Sequence, residues 1–203
     1  ETQRKLAEQL SYVPSQQDRF FKQAIDTLKE VVAKMQSQQN TSRERWREVY
    51  QNLGCTYRSK ALARQNRLEI FQGPVYAPEQ DDNLTEIYRL AAIYLKRAYI
   101  VASGRHWSHH DNPTDAEQQQ AFDFDELLPK AANDSQNAQH DVFLVDILED
   151  LAVIFVNADV YDPRLKKLLH AAEQHAPNEY KITEGGRVRK LNDHEAIRGY
   201  WRE

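Results

Sequence analysis

The feature that most constrains the fold is the stretch 83–103, NLTEIYRLAAIYLKRAYIVAS. Its apolar residues lie almost all round a helix instead of forming one stripe, and such a helix has to be surrounded by other elements. Asn83, followed three positions later by Glu86, resembles a capping box, and Gly104 suits the position just after a helix end. The sequence therefore predicts a central buried helix.

Further segments carry the three- and four-residue apolar spacing of helices. They are 15–36, 42–71, 141–158 and 162–176. Ser15 is a predicted N-cap, Gly54 is a candidate interruption of the second segment, and Asp162–Pro163 suits the start of the last. Glycine and proline number only six and seven, which disfavours a turn-rich all-β fold.

Polar segments separate these helices. Residues 72–82 are a predicted loop, 111–139 an acidic loop-rich insertion with one short helix, 179–190 a β-hairpin and 192–201 a last short helix. We expect residues 1–203 to form a single, mostly α domain. Its architecture would be a bundle of about five to seven helices with a small C-terminal β-hairpin.

Charge is distributed unevenly, although the net charge is only −4. Residues 111–150 hold eleven acidic residues and one basic residue, Lys130, whereas residues 43–105 carry a net +4 and residues 164–203 a net +3. This segregation predicts either docking of basic parts onto the acidic part within the molecule or two faces for different partners. Chance clustering on a solvated surface is the plain alternative.

The single cysteine, Cys55, excludes an internal disulfide framework and fits a reducing compartment. No apolar run reaches the roughly 18 residues that a membrane-spanning helix needs, and no signal peptide is visible. We therefore expect a cytoplasmic protein without a membrane partner.

The leading functional prediction is a non-catalytic accessory or assembly protein that binds a protein partner, with nucleoprotein as a variant, through two opposing surfaces, acidic 111–150 and basic 43–67. The basic residues expected at this interface are Arg43, Arg47, Lys60, Arg64 and Arg67. The first two share one helix face and the last three another. Because basic rows with aromatic neighbours can follow phosphates and stack bases, nucleic acid is an alternative partner. No cofactor is expected in this case.

The stretch 104–113, GRHWSHHDNP, concentrates residues that could bind a metal. His106, His109, His110 and Asp111 offer imidazole and carboxylate ligands, which suit zinc, iron or manganese. With zinc or manganese bound, this cluster would make a metal-dependent hydrolase. A polar, partly exposed loop is the simpler alternative.

Within this stretch, Arg105-His106-Trp107-Ser108-His109-His110 resembles the motif of HEPN ribonucleases, an arginine, a polar residue and a histidine shortly after. The resemblance implies a small helical bundle, with Arg105 binding the phosphate and His110 as acid/base for attack by the RNA 2′-hydroxyl. An imidazole that titrates near neutral pH suits that step. In that family the motif lies inside a helix, whereas Gly104 and Pro113 predict a loop here. A metal-independent ribonuclease is thus the second functional alternative.

Overall fold

A computed structural model describes residues 4, 14–38, 40–70, 83–105, 107–109, 112–125, 127–128, 142–158 and 164–175, with only the backbone for a few, including 67–70. This part contains six helices: α1 (Pro14–Gln36), α2 (Arg43–Ile70), α3 (Leu84–Ala102), α4 (Asp115–Gln119), α5 (Val142–Asn157) and α6 (Arg164–His175). The described residues form no strand, so the mostly α prediction is confirmed. The hairpin at 179–190 and the helix at 192–201 lie outside them. None of the helices described is long and apolar enough to cross a membrane.

Helix α3 is the centre of the bundle, as predicted. It packs against α2 and α5, while α1 packs on α2 and α6 packs on α5. Most of its residues are buried, and residues from all the longer helices join one hydrophobic core. At its start the Asn83 side chain accepts a hydrogen bond from Thr85 N, but Glu86 pairs with Arg89. Asn83 is therefore the N-cap of α3, but its bond goes to the second helical residue and the predicted capping box does not form.

The end of α3 follows the prediction for Gly104, which has a left-handed φ of 81°. Gly104 N donates to Val101 O at 3.2 Å, and Arg105 N donates to Ile100 O at 3.2 Å. These two bonds form a Schellman motif, which satisfies carbonyls that the helix leaves unpaired. The chain is thereby directed out of α3 into the loop 104–113.

Helix α2 is continuous, so the candidate interruption at Gly54 is wrong. A Cβ atom on Gly54 would lie 2.5 Å from Leu95 Cγ and 3.0 Å from Leu95 N. The glycine thus lets the backbones of α2 and α3 approach closely, and the packing gained there offsets its low helix propensity.

Carboxylates of the acidic stretch 111–150 bind basic residues from the rest of the chain. Such ion pairs among the described residues include Arg58–Asp150, Arg97–Glu117 and Lys167–Asp125. Each joins a residue of the acidic stretch to one of the two basic stretches. At these positions the acidic stretch binds the basic stretches within the same molecule, which is one of the two alternatives predicted from the charge pattern.

Candidate functional site

The loop after α3 forms one wall of a hollow of about 760 Å³. The other walls come from the end of α1, the start of α2 and the last turn of α3. The described residues that line it are Met35, Gln36, Gln38, Thr41, Arg43, Trp46, Val101, Arg105, Trp107 and His109. Its volume lies within the usual range of ligand pockets, roughly 300–1,000 Å³.

The hollow has an apolar floor and a polar rim. Met35, Trp46 and Val101 are buried lining residues and form the floor. Gln36 and Arg105 are exposed and lie at the rim. None of the ten described lining residues is acidic, whereas two of them are arginines. The hollow is therefore suited to a ligand that carries negative charge beside apolar surface.

His109 is fixed in the wall of the hollow by three contacts. Its ring stacks on Trp46, with 3.8 Å between ring centroids and 6° between planes. Its Nδ1 lies 3.2 Å from the Tyr50 hydroxyl, and its backbone oxygen accepts a hydrogen bond of 2.9 Å from Gln36 Nε2. This part of the predicted polar loop is therefore packed against the bundle.

Tyr50 supports His109 as a neutral phenol. Burial raises the pKa of its hydroxyl well above the usual range, and the nearby Arg97 guanidinium only partly opposes this effect. Because the phenol keeps its proton at neutral pH, Tyr50 can donate to His109 but is unsuited to act as a base.

Arg97 binds the far end of the loop to the core. Its side chain is fully buried, donates to both carboxylate oxygens of Glu117 and also donates to Asn112 O at 3.1 Å. The guanidinium carbon lies 5.5 Å and 5.8 Å from the ring centres of Tyr50 and Trp107. These contacts join Trp107 and Asn112 of the loop to the core.

Arg43, one of the predicted partner-binding residues, lies at the C-terminal end of α3. Its Nε donates to Val101 O, and its Nη2 donates to Ala102 O at 2.7 Å. A cation at this end also interacts favourably with the helix dipole. The guanidinium is thus held in one orientation at the edge of the hollow, and Nη1 makes none of these helix-end bonds.

Arg47, Lys60 and Arg64 are not among the described residues that line the hollow. The Arg47 guanidinium lies over the Phe143 ring, 3.6 Å from its centre, while Lys60 and Arg64 are partly buried. The Arg67 side chain lies outside the described part. Thirteen residues of helix place Lys60 about 20 Å from Arg47 and roughly 140° around the axis. The predicted basic residues therefore belong to separate regions of α2.

The structure describes one of the four predicted metal ligands. Of the four, His109 is described, whereas His106, His110 and Asp111 lie outside the described residues. Within the described ranges, no three His, Cys, Asp or Glu residues are grouped so that they could bind a metal ion. The metal site stays a prediction, and His109 contacts Trp46, Tyr50 and Gln36.

Arg105, the predicted phosphate-binding residue of the HEPN-like motif, is exposed and lines the hollow. Arg105 is the last residue of the Schellman motif that ends α3. The HEPN-like motif therefore begins beyond the end of the helix, which departs from the helical position of that family. His110 is adjacent in the chain to His109 but lies outside the described residues.

The sequence interpretation missed the hollow and the role of Arg97. Arg97 belongs to a segment that was predicted to be buried almost all round, and a charged residue on such a helix is a signal for a buried ion pair, because a buried charge needs a partner. Comparison of the chain with protein-family models, with curated proteins and with solved structures found no match in any of the three.

Proposed function

We propose that this chain is a non-catalytic accessory or assembly protein that binds a protein partner at the hollow. A cytoplasmic location goes with this proposal, and the single buried free cysteine suits a reducing compartment. The observation that carries it is the lining itself. Tryptophan, methionine and arginine, which are enriched at protein–protein interfaces, meet there in one concave surface.

The ion pairs support the hollow, and not the acidic stretch, as the docking surface. Asp150, Glu117 and Asp125 bind basic residues of the same molecule. The first two pairs are largely buried, so the negative charge at Asp150 and Glu117 is neutralised within the bundle. We therefore assign partner binding to the cationic rim of the hollow, which Arg43 and Arg105 form.

The arrangement of the polar groups around the hollow favours binding over catalysis. His109 is stacked and hydrogen-bonded to the bundle, Arg43 is bonded to helix carbonyls, and Tyr50 is held as a phenol by burial. Groups held in one geometry present a preformed surface, which lowers the cost of ordering side chains when a partner binds.

An affinity experiment with paired charge reversals tests this proposal. Wild type, Arg105→Glu and Arg45→Glu would be used as baits in the same cell extract, and the bound proteins quantified by mass spectrometry. Arg45 is a matched control because it is an exposed arginine of α2 outside the lining. We expect a stoichiometric protein to bind wild type and Arg45→Glu but to be lost with Arg105→Glu. Equal recovery with all three baits would contradict the proposal.

A metal-independent ribonuclease of HEPN type is the second candidate, favoured by the exposed position of Arg105 in the hollow wall. In this case Arg105 would bind the scissile phosphate and His110 would transfer the proton. The test is cleavage of labelled single-stranded RNA in the presence of a chelator. Cleavage that is lost in His110→Ala and retained in His170→Ala would support the ribonuclease. No cleavage by wild type would exclude it.

A further inference from the structure

We infer that the docking element of the partner is an acidic peptide segment, in which a carboxylate side chain lies next to an apolar side chain. This inference rests on the proposed function, since it names the chemistry that the hollow recognises. It follows from three features of the lining: the oriented cation, the apolar floor and the covered aromatic ring.

The oriented cation is Arg43. Its Nε and Nη2 are bonded to the last carbonyls of α3, so the plane of the guanidinium is fixed before any ligand arrives. Arg105 lines the same hollow, which places a second guanidinium on its wall. Carboxylates are preferred partners of guanidinium groups because both are planar and form short, charge-assisted hydrogen bonds.

The apolar floor would receive a side chain of the partner. Met35 is 7% exposed, Trp46 6% and Val101 4%, so each presents a small apolar surface to the hollow. Methionine adapts its shape to a neighbour, and tryptophan adds a large rigid contact. A leucine or phenylalanine beside the carboxylate would remove this surface from water.

The covered ring favours a peptide over a nucleic acid. Proteins that bind single-stranded nucleic acid stack bases on open aromatic faces. In this hollow one face of Trp46 is already occupied by the ring of His109, at 3.8 Å between centroids. To stack on that face of Trp46, a base would have to displace His109 from its contacts with Tyr50 and Gln36, whereas a carboxylate needs no open ring.

Tryptophan fluorescence gives a direct reporter of the hollow. The chain has three tryptophans, Trp46, Trp107 and Trp201, and the first two line the hollow. The Trp201→Phe variant of the 203-residue chain would be titrated with a short synthetic peptide that alternates glutamate and leucine. The control peptide has glutamine in place of each glutamate. We expect a saturable fluorescence change with the acidic peptide and no change with the control at equal concentration.

Charge-reversal variants then assign the binding to the rim. In the Trp201→Phe background, Arg105→Glu should lower the affinity for the acidic peptide by roughly tenfold or more. Arg45→Glu should leave this affinity within about twofold of the starting value. Circular dichroism and thermal unfolding of both variants check that they fold. Arg105→Gln, which removes the charge without reversing it, should give an intermediate loss.

Three results would overturn the inference. The first two are equal fluorescence changes with the acidic and amide peptides, and no change with either peptide. The third comes from a parallel titration with polyuridylate, a single-stranded RNA, and is a fluorescence change with polyuridylate but not with the acidic peptide. If the affinity experiment still shows a partner that is lost with Arg105→Glu, the proposed function stands and only the acidic-segment assignment fails. If neither experiment depends on Arg105, both fail.

Discussion

The Arg97 guanidinium binds the Glu117 carboxylate in a two-pronged ion pair, with Nε–Oε1 at 2.7 Å and Nη2–Oε2 at 2.9 Å. The Arg97 side chain is 0% exposed and that of Glu117 is 13% exposed. The pair joins α3 to α4 and thereby fixes the far end of the segment that walls the hollow. Glu117 also closes a capping box with Thr114 at the start of α4.

Glu117→Gln should destabilise the protein strongly, because it leaves the buried guanidinium without its counter-charge. We expect a loss of about 3 kcal/mol in the free energy of unfolding. Urea unfolding followed by circular dichroism measures it. Glu86→Gln is the matched control, since its pair with Arg89 is about 40% exposed and should contribute less than about 1 kcal/mol. Equal losses in the two variants would contradict a structural role for the buried pair.

The same pair predicts a dependence of stability on pH. Burial alone would raise the pKa of Glu117, but hydrogen bonds from Arg97 and Thr114 outweigh it and lower the pKa below its usual value. A depressed pKa in the folded state means that the stabilisation is complete above the unfolded pKa of about 4.3 and declines as pH falls towards the folded pKa.

The difference in unfolding free energy between wild type and Glu117→Gln should therefore stay constant from neutral pH down to about pH 5 and shrink below about pH 4. Urea unfolding at a series of pH values measures this difference, and carboxylates common to both proteins cancel. A difference that grows as the pH falls would contradict a lowered pKa of Glu117 in the folded protein.

Gly54→Ala should destabilise the bundle although alanine is the better helix former. The new Cβ would meet Leu95 Cγ at 2.5 Å and Leu95 N at 3.0 Å, and the backbone atom can move only if the two helices separate. We expect a net loss of about 1–3 kcal/mol. Adding Leu95→Ala should then cost less than it does in wild type. A raised melting temperature in Gly54→Ala would contradict the close approach of α2 and α3.

Cys55 should be inert towards thiol reagents in the folded protein. It is 7% exposed, and its Sγ donates to Asp150 Oδ2 at 3.1 Å. Burial, with the Asp150 charge, raises the pKa of the thiol to about 12, so little thiolate exists at pH 8. Because Cys55 is the single cysteine, its labelling by a chromogenic disulfide reagent can be read directly. Labelling should be slow in buffer and rapid in urea. Rapid labelling of the folded protein would contradict this environment.

The central part of the fold could be predicted because it depends on local signals. The all-round apolar pattern of 84–102 and the glycine after it correctly gave α3 and its C-terminal cap. Gly54 was misjudged because propensity alone treats a glycine as a helix breaker. Its actual role depends on Leu95, a residue 41 positions away in the sequence.

The site was harder to predict, because its parts come from distant segments. The sequence pointed to Arg43, Arg105 and His109, which the fold brings to one hollow. It gave no sign that Met35 and Trp46 would form the floor, because apolar periodicity marks a buried face without naming its neighbours. The pairing of Arg97 with Glu117 likewise depends on how the chain turns between α3 and α4.

Hydrogen exchange on the complex tests the central claim most directly. The 203-residue chain would be compared with and without the partner recovered in the affinity experiment, and its deuterium uptake would be measured by mass spectrometry. Binding at the hollow predicts slower exchange in residues 35–46 and 101–109, with little change in α5 and α6. Protection confined to α5 and α6, or none near the hollow, would contradict the claim that the partner binds there.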